Sequence, residues 1–117
     1  MKKQKVTILG ADWEVVEGTA EEFPTLGVCD GYTDVSIHRI VVSDMSGASD
    51  DPESKVDLKA YQRQVVRHEL IHAFLEESGL SSNTAPVASW ATSEEIVDWI
   101  AIQIPKIVKA CSDLRAL

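Results

Sequence analysis

The first third of the chain alternates short apolar runs with turn residues, a pattern typical of β-strands. Residues 6–9 and 13–16 are mainly apolar and flank Gly10-Ala11-Asp12, a spacing that predicts a β-hairpin. A third strand is predicted for residues 26–29. Residues 35–42 are rich in β-branched side chains and are the strongest strand prediction in the chain.

Polar and turn-forming residues separate these predicted strands. Residues 19–23 predict one helical turn that Pro24 ends, because proline cannot continue the helical hydrogen bonding. Asp30-Gly31 and Thr33-Asp34 are interpreted as turns. Residues 43–53 combine Ser, Gly, Asp and Pro without periodicity, which predicts a loop that is either a solvated insertion or a flap.

The rest of the chain is predicted to be helical. Residues 58–77 place apolar side chains at helical spacing, and Gly79 is a suitable C-terminal stop. A loop is expected at residues 81–91. Thr92 is predicted to cap a second helix, with Glu95 at the capping-box position. Strands followed by helices predict one α+β domain spanning residues 1–117.

Charge and cysteine content exclude several classes of protein. The formal net charge is −8, which disfavours non-specific binding to nucleic acid or anionic membranes because phosphates are repelled. Two cysteines, Cys29 and Cys111, are too few for a disulfide framework. The basic N-terminus lacks the apolar run of a signal peptide, and no segment has transmembrane length. A cytoplasmic location is therefore the expectation.

The candidate chemistry lies in His68-Glu69-Leu70-Ile71-His72, inside the first predicted helix. A spacing of four places both imidazoles on one face, where they can share one zinc ion. Zinc lowers the pKa of a bound water to about 7. Glu69 is then placed to take the proton from that water as it attacks a carbonyl, and to pass it to the leaving amine.

The third zinc ligand is expected on the second helix. Glu76 continues the row of His68 and His72, but a straight helix carries it about 12 Å from His68, too far for one ion. Glu94 and Asp98 are four residues apart and share a face. Glu94 is predicted to bind zinc, and Asp98 to hold the other nitrogen of a ligating histidine.

The adjacent Glu95 is a rival for the ligand position. Neighbouring helical residues point about 100° apart, so only one can face the histidines. Glu95 lies three residues after Thr92, where its carboxylate can complete a capping box. This assignment, together with the shared face of Glu94 and Asp98, favours Glu94.

His-Glu-x-x-His followed by Glu-x-x-x-Asp resembles the gluzincin branch of the zincin metallopeptidases, including small gluzincins and short phage or mobile-element proteins. The resemblance implies a small twisted, antiparallel-rich sheet packed on the active-site helix and a second, glutamate-bearing helix. It implies zinc-dependent hydrolysis of a peptide bond. It also implies a cleft-lining edge strand that pairs with an extended peptide substrate, here expected at residues 35–42.

The chain departs from the patterns of the zincin group at two points. Metzincins require Gly and His three and six residues after the second histidine, where this chain has Leu75 and Ser78, so that branch is excluded. Gluzincins often supply a downstream Tyr or His to stabilise the oxyanion, and this chain has neither after His72. Tyr61, Tyr32 and His38 are the alternative donors, and the sequence does not choose between them.

Two alternative functions remain open at this stage. Peptide deformylases also use His-Glu-x-x-His, with an upstream cysteine as third ligand. Cys29 has a compatible position, although its neighbours do not match the deformylase motif. The second alternative is a catalytically weak or inactive, zinc-stabilised peptide-binding module, favoured by the missing oxyanion donor. The intact Glu69 favours an enzyme instead.

Overall fold

The structure is a computed structural model that describes residues 2–47, 56–82 and 90–117. Most of the two predicted loops, at residues 43–53 and 81–91, therefore lies outside the described residues.

The chain begins with a β-hairpin, as predicted. Strands β1 (Lys3–Ile8) and β2 (Ala11–Gly18) pair antiparallel, with Ile8 opposite Ala11. Leu9 and Gly10 form the two-residue turn with φ of 49° and 88°. Two positive φ values are the requirement of a type I′ turn, which matches the twist of paired strands. The turn therefore starts one residue earlier than predicted.

Two further strands complete a four-stranded sheet of order β1-β2-β4-β3. Strand β3 (Gly31–Asp34) pairs antiparallel with β4 (Arg39–Ser43), and β4 runs parallel to β2. The sheet is thus mixed, with two antiparallel pairings and one parallel pairing. Together with the two long helices it confirms the α+β class.

The strand predicted at residues 35–42 is wrong in its first half and in its place in the sheet. Val35–Ile37 is a short 3-10 helix, and His38 follows with a left-handed φ of 52°. The chain reverses there because Asp34 accepts a hydrogen bond from the Ser36 N–H at 3.1 Å. Strand β4 lies between β2 and β3, so it is not an edge strand, and the edge on that side is β3.

The segment before β3 also differs from the prediction. Residues 19–23 do form one helical turn, closed by the Phe23 N–H and the Thr19 carbonyl at 2.9 Å. Pro24 then starts a 3-10 helix, Pro24–Gly27, where a strand was predicted. Proline suits this first position because its fixed φ is helical and its missing N–H is not needed.

The first long helix, α1 (Leu58–Glu77), has the predicted bounds. The Asp57 carboxylate caps it by accepting from the Ala60 N–H at 3.0 Å. Gly79 follows its end with φ of 81°, the left-handed conformation that commonly terminates helices.

The second helix is α2 (Glu94–Asp113), and its cap differs from the prediction. Ser93 is the N-cap and accepts from the Ile96 N–H at 3.4 Å. Thr92 instead ends a short 3-10 helix, Trp90–Thr92. The capping-box argument for Glu95 was therefore wrong.

The core lies between α1 and one face of the sheet. Trp13, at 2% exposure, is among its largest buried side chains, and Ile8, Ile40 and Val42 accompany it. The buried residues of α1 are Val65, Glu69 and Ala73, at spacings of four residues. They form one stripe that faces the sheet. Glu69 therefore places a carboxylate at a position of this stripe that is usually occupied by an apolar side chain. Within the described ranges, no helix is long and apolar enough to cross a membrane.

Candidate metal centre

Helix α1 presents the two histidines of the motif side by side. The Nε2 atoms of His68 and His72 lie 3.2 Å apart, and the ring centroids are 4.9 Å apart at 65°. The spacing of four residues on a regular helix produces this arrangement. Both rings are partly buried and offer the same nitrogen to one point in space.

Glu94, in the first turn of α2, supplies a carboxylate to the same point. Its Oε2 lies 2.8 Å from Nε2 of His68, and its Oε1 lies 3.0 Å from Nε2 of His72. Potential ligand atoms of the three residues all lie within 4.8 Å of one another. These contacts place Glu94 on the side of α2 that faces the histidines, the register expected from the sequence, although the capping argument for that register failed.

The donor set fits a zinc ion. Two imidazole nitrogens and one carboxylate are a ligand set that zinc takes at catalytic sites, where a fourth position stays open. Among the described residues that line the surrounding cleft, none is Lys or Arg. No Lys or Arg of the described cleft wall is thus placed to neutralise the Glu94 carboxylate.

Asp98, one turn after Glu94, fixes the orientation of the first histidine. Its Oδ1 lies 2.6 Å from Nδ1 of His68. Such a contact holds the proton on Nδ1 and leaves Nε2 with its lone pair directed at the centre. The predicted pairing of Asp98 with a histidine is present, and His68 is its partner.

Glu69 lies beside the ligand group but not within it. Its side chain is 8% exposed, and its Oε2 lies 3.7 Å from Nε2 of His68. The Thr33 hydroxyl donates to its Oε1 at 3.0 Å. Burial raises the pKa of the Glu69 carboxyl, an effect opposed by the Thr33 hydrogen bond and by the neighbouring imidazoles. The carboxylate thus has one oxygen held and one oxygen facing the centre.

An open cleft of about 660 Å³ surrounds the centre. One wall is the edge strand β3, with Gly31, Tyr32 and Thr33. Helix α1 and the start of α2 form the other walls. The edge strand expected to line the cleft is thus present, at β3 and not at residues 35–42.

The structure separates the three candidate oxyanion donors. Tyr61 and Tyr32 line the cleft, whereas His38 does not. The His38 ring stacks on Trp13 with centroids 4.8 Å apart, and its Nε2 lies 3.3 Å from Glu77, at the C-terminal end of α1. Glu77 lies more than two helical turns after His68, the first histidine of the motif. His38 is therefore a packing residue of the sheet and helix end.

The Tyr61 hydroxyl donates to Oδ2 of Asp30 at 2.5 Å. Burial and the negative charges of Asp30 and Asp98 raise the pKa of Tyr61 to about 12. Tyr61 is consequently a protonated hydroxyl throughout the neutral range.

Cys29, the ligand of the deformylase alternative, lies in the cleft wall but outside the ligand group. Its thiol donates to the Thr25 carbonyl at 3.3 Å, and burial raises its pKa. Glu94, and not Cys29, completes the group of possible ligands with the two histidines.

Sequence reasoning missed Thr33 and the strand that carries it. Gly31 and Asp34 are typical of turns, so residues 31–34 gave no strand signal. Thr33 lies 36 residues before Glu69, and no motif links the two positions. The pairing of β3 with β4 and the close packing of β3 against α1 bring the hydroxyl to the carboxylate.

No protein-family model matches the chain, and neither a curated protein nor a solved structure matches it. The gluzincin resemblance therefore rests on the residues of this chain and on the geometry of the centre.

Proposed function

We propose that the chain is a zinc-dependent metallopeptidase of the gluzincin type that hydrolyses a peptide bond in an extended substrate. The observation that carries this proposal is the convergence of His68, His72 and Glu94 on one point, with the Glu69 carboxylate beside it. Two separate helices contribute these side chains. A helix that is merely polar on its surface has no reason to bury a glutamate next to such a group.

His68, His72 and Glu94 would hold the zinc ion. When bound, zinc supplies Lewis acidity that polarises a carbonyl and lowers the pKa of water to about 7. Asp98 holds His68 through Nδ1, so that Nε2 stays directed at the metal position. Both histidines contact Glu94 on α2, and His68 has Asp98 as an additional partner.

Glu69 acts as general base and then as general acid. Its Oε2 faces the centre, where it accepts the proton of the attacking water, and it later returns that proton to the leaving amine. Burial favours the protonated form of the carboxyl, which makes it a stronger base than an exposed glutamate and thus better able to take a proton near neutral pH. A carboxyl with this raised pKa also suits the second, acidic step.

The substrate docks along β3 as an added strand. The Ser43 N–H donates to the Asp30 carbonyl at 2.8 Å, which makes these two residues a hydrogen-bonded pair of the antiparallel ladder. Because such pairs alternate with non-bonded pairs, the main-chain groups of Gly31 and Thr33 point away from β4. They point to the open edge that an extended peptide can join.

Tyr61 is the favoured oxyanion donor. It lies on α1 two helical turns before His68, lines the same cleft and keeps its proton. Its hydroxyl engages Asp30, so donation to substrate requires exchange of that partner. This engagement is also the observation that favours the second candidate function, a zinc-stabilised peptide-binding module with weak catalysis.

Incubation of the zinc-loaded protein with a diverse peptide pool, followed by mass spectrometry, tests the proposal. New peptide termini that disappear after chelation and return with zinc are the expected result. Peptides that are retained on the immobilised protein but remain intact would favour the binding module. If the protein neither cleaves nor retains any peptide, both functions are refuted.

A further inference from the structure

We infer that Thr33 is a positioning residue for the general base: its hydroxyl fixes the Glu69 carboxylate in its reactive orientation and links it to the strand on which substrate docks. The inference rests on the proposed function and extends it to a residue outside both sequence motifs. Three separate observations on β3 and α1 carry it.

The first observation is the double contact of the Thr33 hydroxyl. Its Oγ1 lies 3.0 Å from Oε1 of Glu69 and 3.3 Å from the Glu69 carbonyl oxygen. One hydroxyl hydrogen is thus shared between the side chain and the main chain of the same residue. This arrangement holds Oε1 at a fixed place relative to the helix and leaves Oε2 free to face His68 at 3.7 Å.

The second observation is the close approach of β3 to the helix. A Cβ atom at Gly31 would lie 2.6 Å from Cγ1 of Val65 and 3.3 Å from Cγ of Glu69. Val65 is 8% exposed and Glu69 6% exposed, so a side chain at residue 31 would have to displace buried atoms. Gly31 therefore lets β3 lie against this turn of α1 at a distance that the short Thr33 side chain can span.

The third observation is the direction of the Thr33 main chain. Thr33 is opposite Ile40 in a non-bonded pair, so its N–H and C=O face the open edge of β3. A peptide that adds to this edge immobilises the Thr33 backbone. Addition of the peptide thereby also restricts the motion of the Thr33 hydroxyl, and hence of Glu69, next to the scissile bond.

A positioning role and a merely structural role make different predictions. If the hydroxyl served only to satisfy a buried carboxylate, its loss would lower stability without selectively affecting turnover. If it positions the base, its loss lowers kcat while zinc affinity and KM stay near their normal values, because Thr33 touches no predicted zinc ligand and keeps its backbone. Partners of active-site groups in comparable positions contribute about 10–100-fold.

The test compares Thr33→Val, which keeps shape and strand propensity, with Thr33→Ser, which keeps the hydroxyl. Thr7→Val, on the exposed side of β1, is the matched control for loss of a strand hydroxyl. We expect kcat of Thr33→Val to fall about 10–100-fold, with KM and the zinc dissociation constant changed less than about two-fold. Thr33→Ser and Thr7→Val should retain most of the normal kcat. Full kcat in Thr33→Val, or an equal loss in Thr33→Ser, overturns the inference.

Crystal structures of metal-free Thr33→Val and Thr33→Ser provide a readout that does not depend on activity. The Glu69 carboxylate should turn away from its original position in the valine variant and keep it in the serine variant. An unmoved carboxylate in Thr33→Val overturns the positioning role. If the unmodified protein cleaves no peptide, the proposed function fails, and these structures still decide whether Thr33 holds Glu69.

Discussion

His68 and Asp98 are separated by 30 residues in the chain, and Nδ1 of the first lies 2.6 Å from Oδ1 of the second. The contact joins the two long helices at the candidate metal centre. It explains why the same helix face carries Glu94 and Asp98: one carboxylate reaches the centre, and the other holds a ring that also reaches it. His68 and His72 are four residues apart on α1, and Glu94 and Asp98 are four residues apart on α2. The two pairs therefore face each other across the helices.

Replacing Asp98 should weaken zinc binding without removing a ligand. Asp98→Ala is expected to raise the zinc dissociation constant about 10–100-fold, because the imidazole loses its orienting partner. Asp98→Asn, which keeps a hydrogen-bond acceptor, should have a smaller effect. Competition with a chromophoric chelator measures both constants. Unchanged affinity in Asp98→Ala would show that the contact does not orient a zinc ligand.

One zinc ion per chain is the expected stoichiometry. Elemental analysis of protein purified without chelator should find this amount in the unmodified chain and almost none in a His68→Ala, His72→Ala double variant. His38→Ala is the matched control, since His38 stacks on Trp13 away from the centre. Equal zinc content in the double variant and the unmodified protein would contradict the assignment.

The two adjacent glutamates at the start of α2, Glu94 and Glu95, are predicted to have different roles. Glu94→Gln should weaken zinc binding strongly, because the carboxylate lies 2.8 Å and 3.0 Å from the two imidazole nitrogens. Glu95→Gln should leave zinc affinity unchanged and reduce stability by about 0.3–1 kcal/mol, the usual contribution of an acidic residue in a first helical turn. Zinc titration and thermal unfolding of both variants test this. The opposite pattern would place the ligand at Glu95.

Tyr61 is predicted to stabilise the transition state. Tyr61→Phe should lower kcat about 100-fold, the scale of losing one oxyanion donor, with little change in KM. The pKa of Tyr61 is raised to about 12, so its hydroxyl keeps its proton below pH 10. The kcat of the unmodified protein should therefore not decline below pH 10 through loss of the Tyr61 proton. Steady-state kinetics of Tyr61→Phe beside Tyr32→Phe provide the comparison. A large loss in Tyr32→Phe alone would transfer the role to Tyr32.

Helix α1 and the grouping of the candidate metal ligands were predictable from the sequence because their signals are local. Regular spacing fixed the faces of His68, His72, Glu94 and Asp98, and Gly79 follows the end of α1 as expected. The first hairpin was predictable for the same reason. The cap of α2 was not, since Thr92 and Ser93 are adjacent and chemically similar. In the structure Ser93 takes the extended conformation of the cap, and Thr92 ends the preceding 3-10 helix.

The edge strand was not predictable, because pairing overrides local preference there. Residues 31–34 contain Gly and Asp and become a strand only through their register with β4. Val35–Ile37 has β-branched side chains yet forms a 3-10 turn, because the chain must reverse between β3 and β4. The hydrogen bond between Thr33 and Glu69 depends on this pairing, so it could not be predicted from the sequence either.

The turnover of Glu69→Gln at full zinc occupancy tests the central claim most directly. Glutamine keeps the size and most hydrogen bonds of Glu69 but cannot take the proton from water, so a loss of about 10² to 10⁴-fold in kcat is expected. Zinc content, thermal stability and peptide binding should be retained. A zinc-loaded Glu69→Gln variant that cleaves the substrate as fast as the unmodified protein would contradict the proposed mechanism.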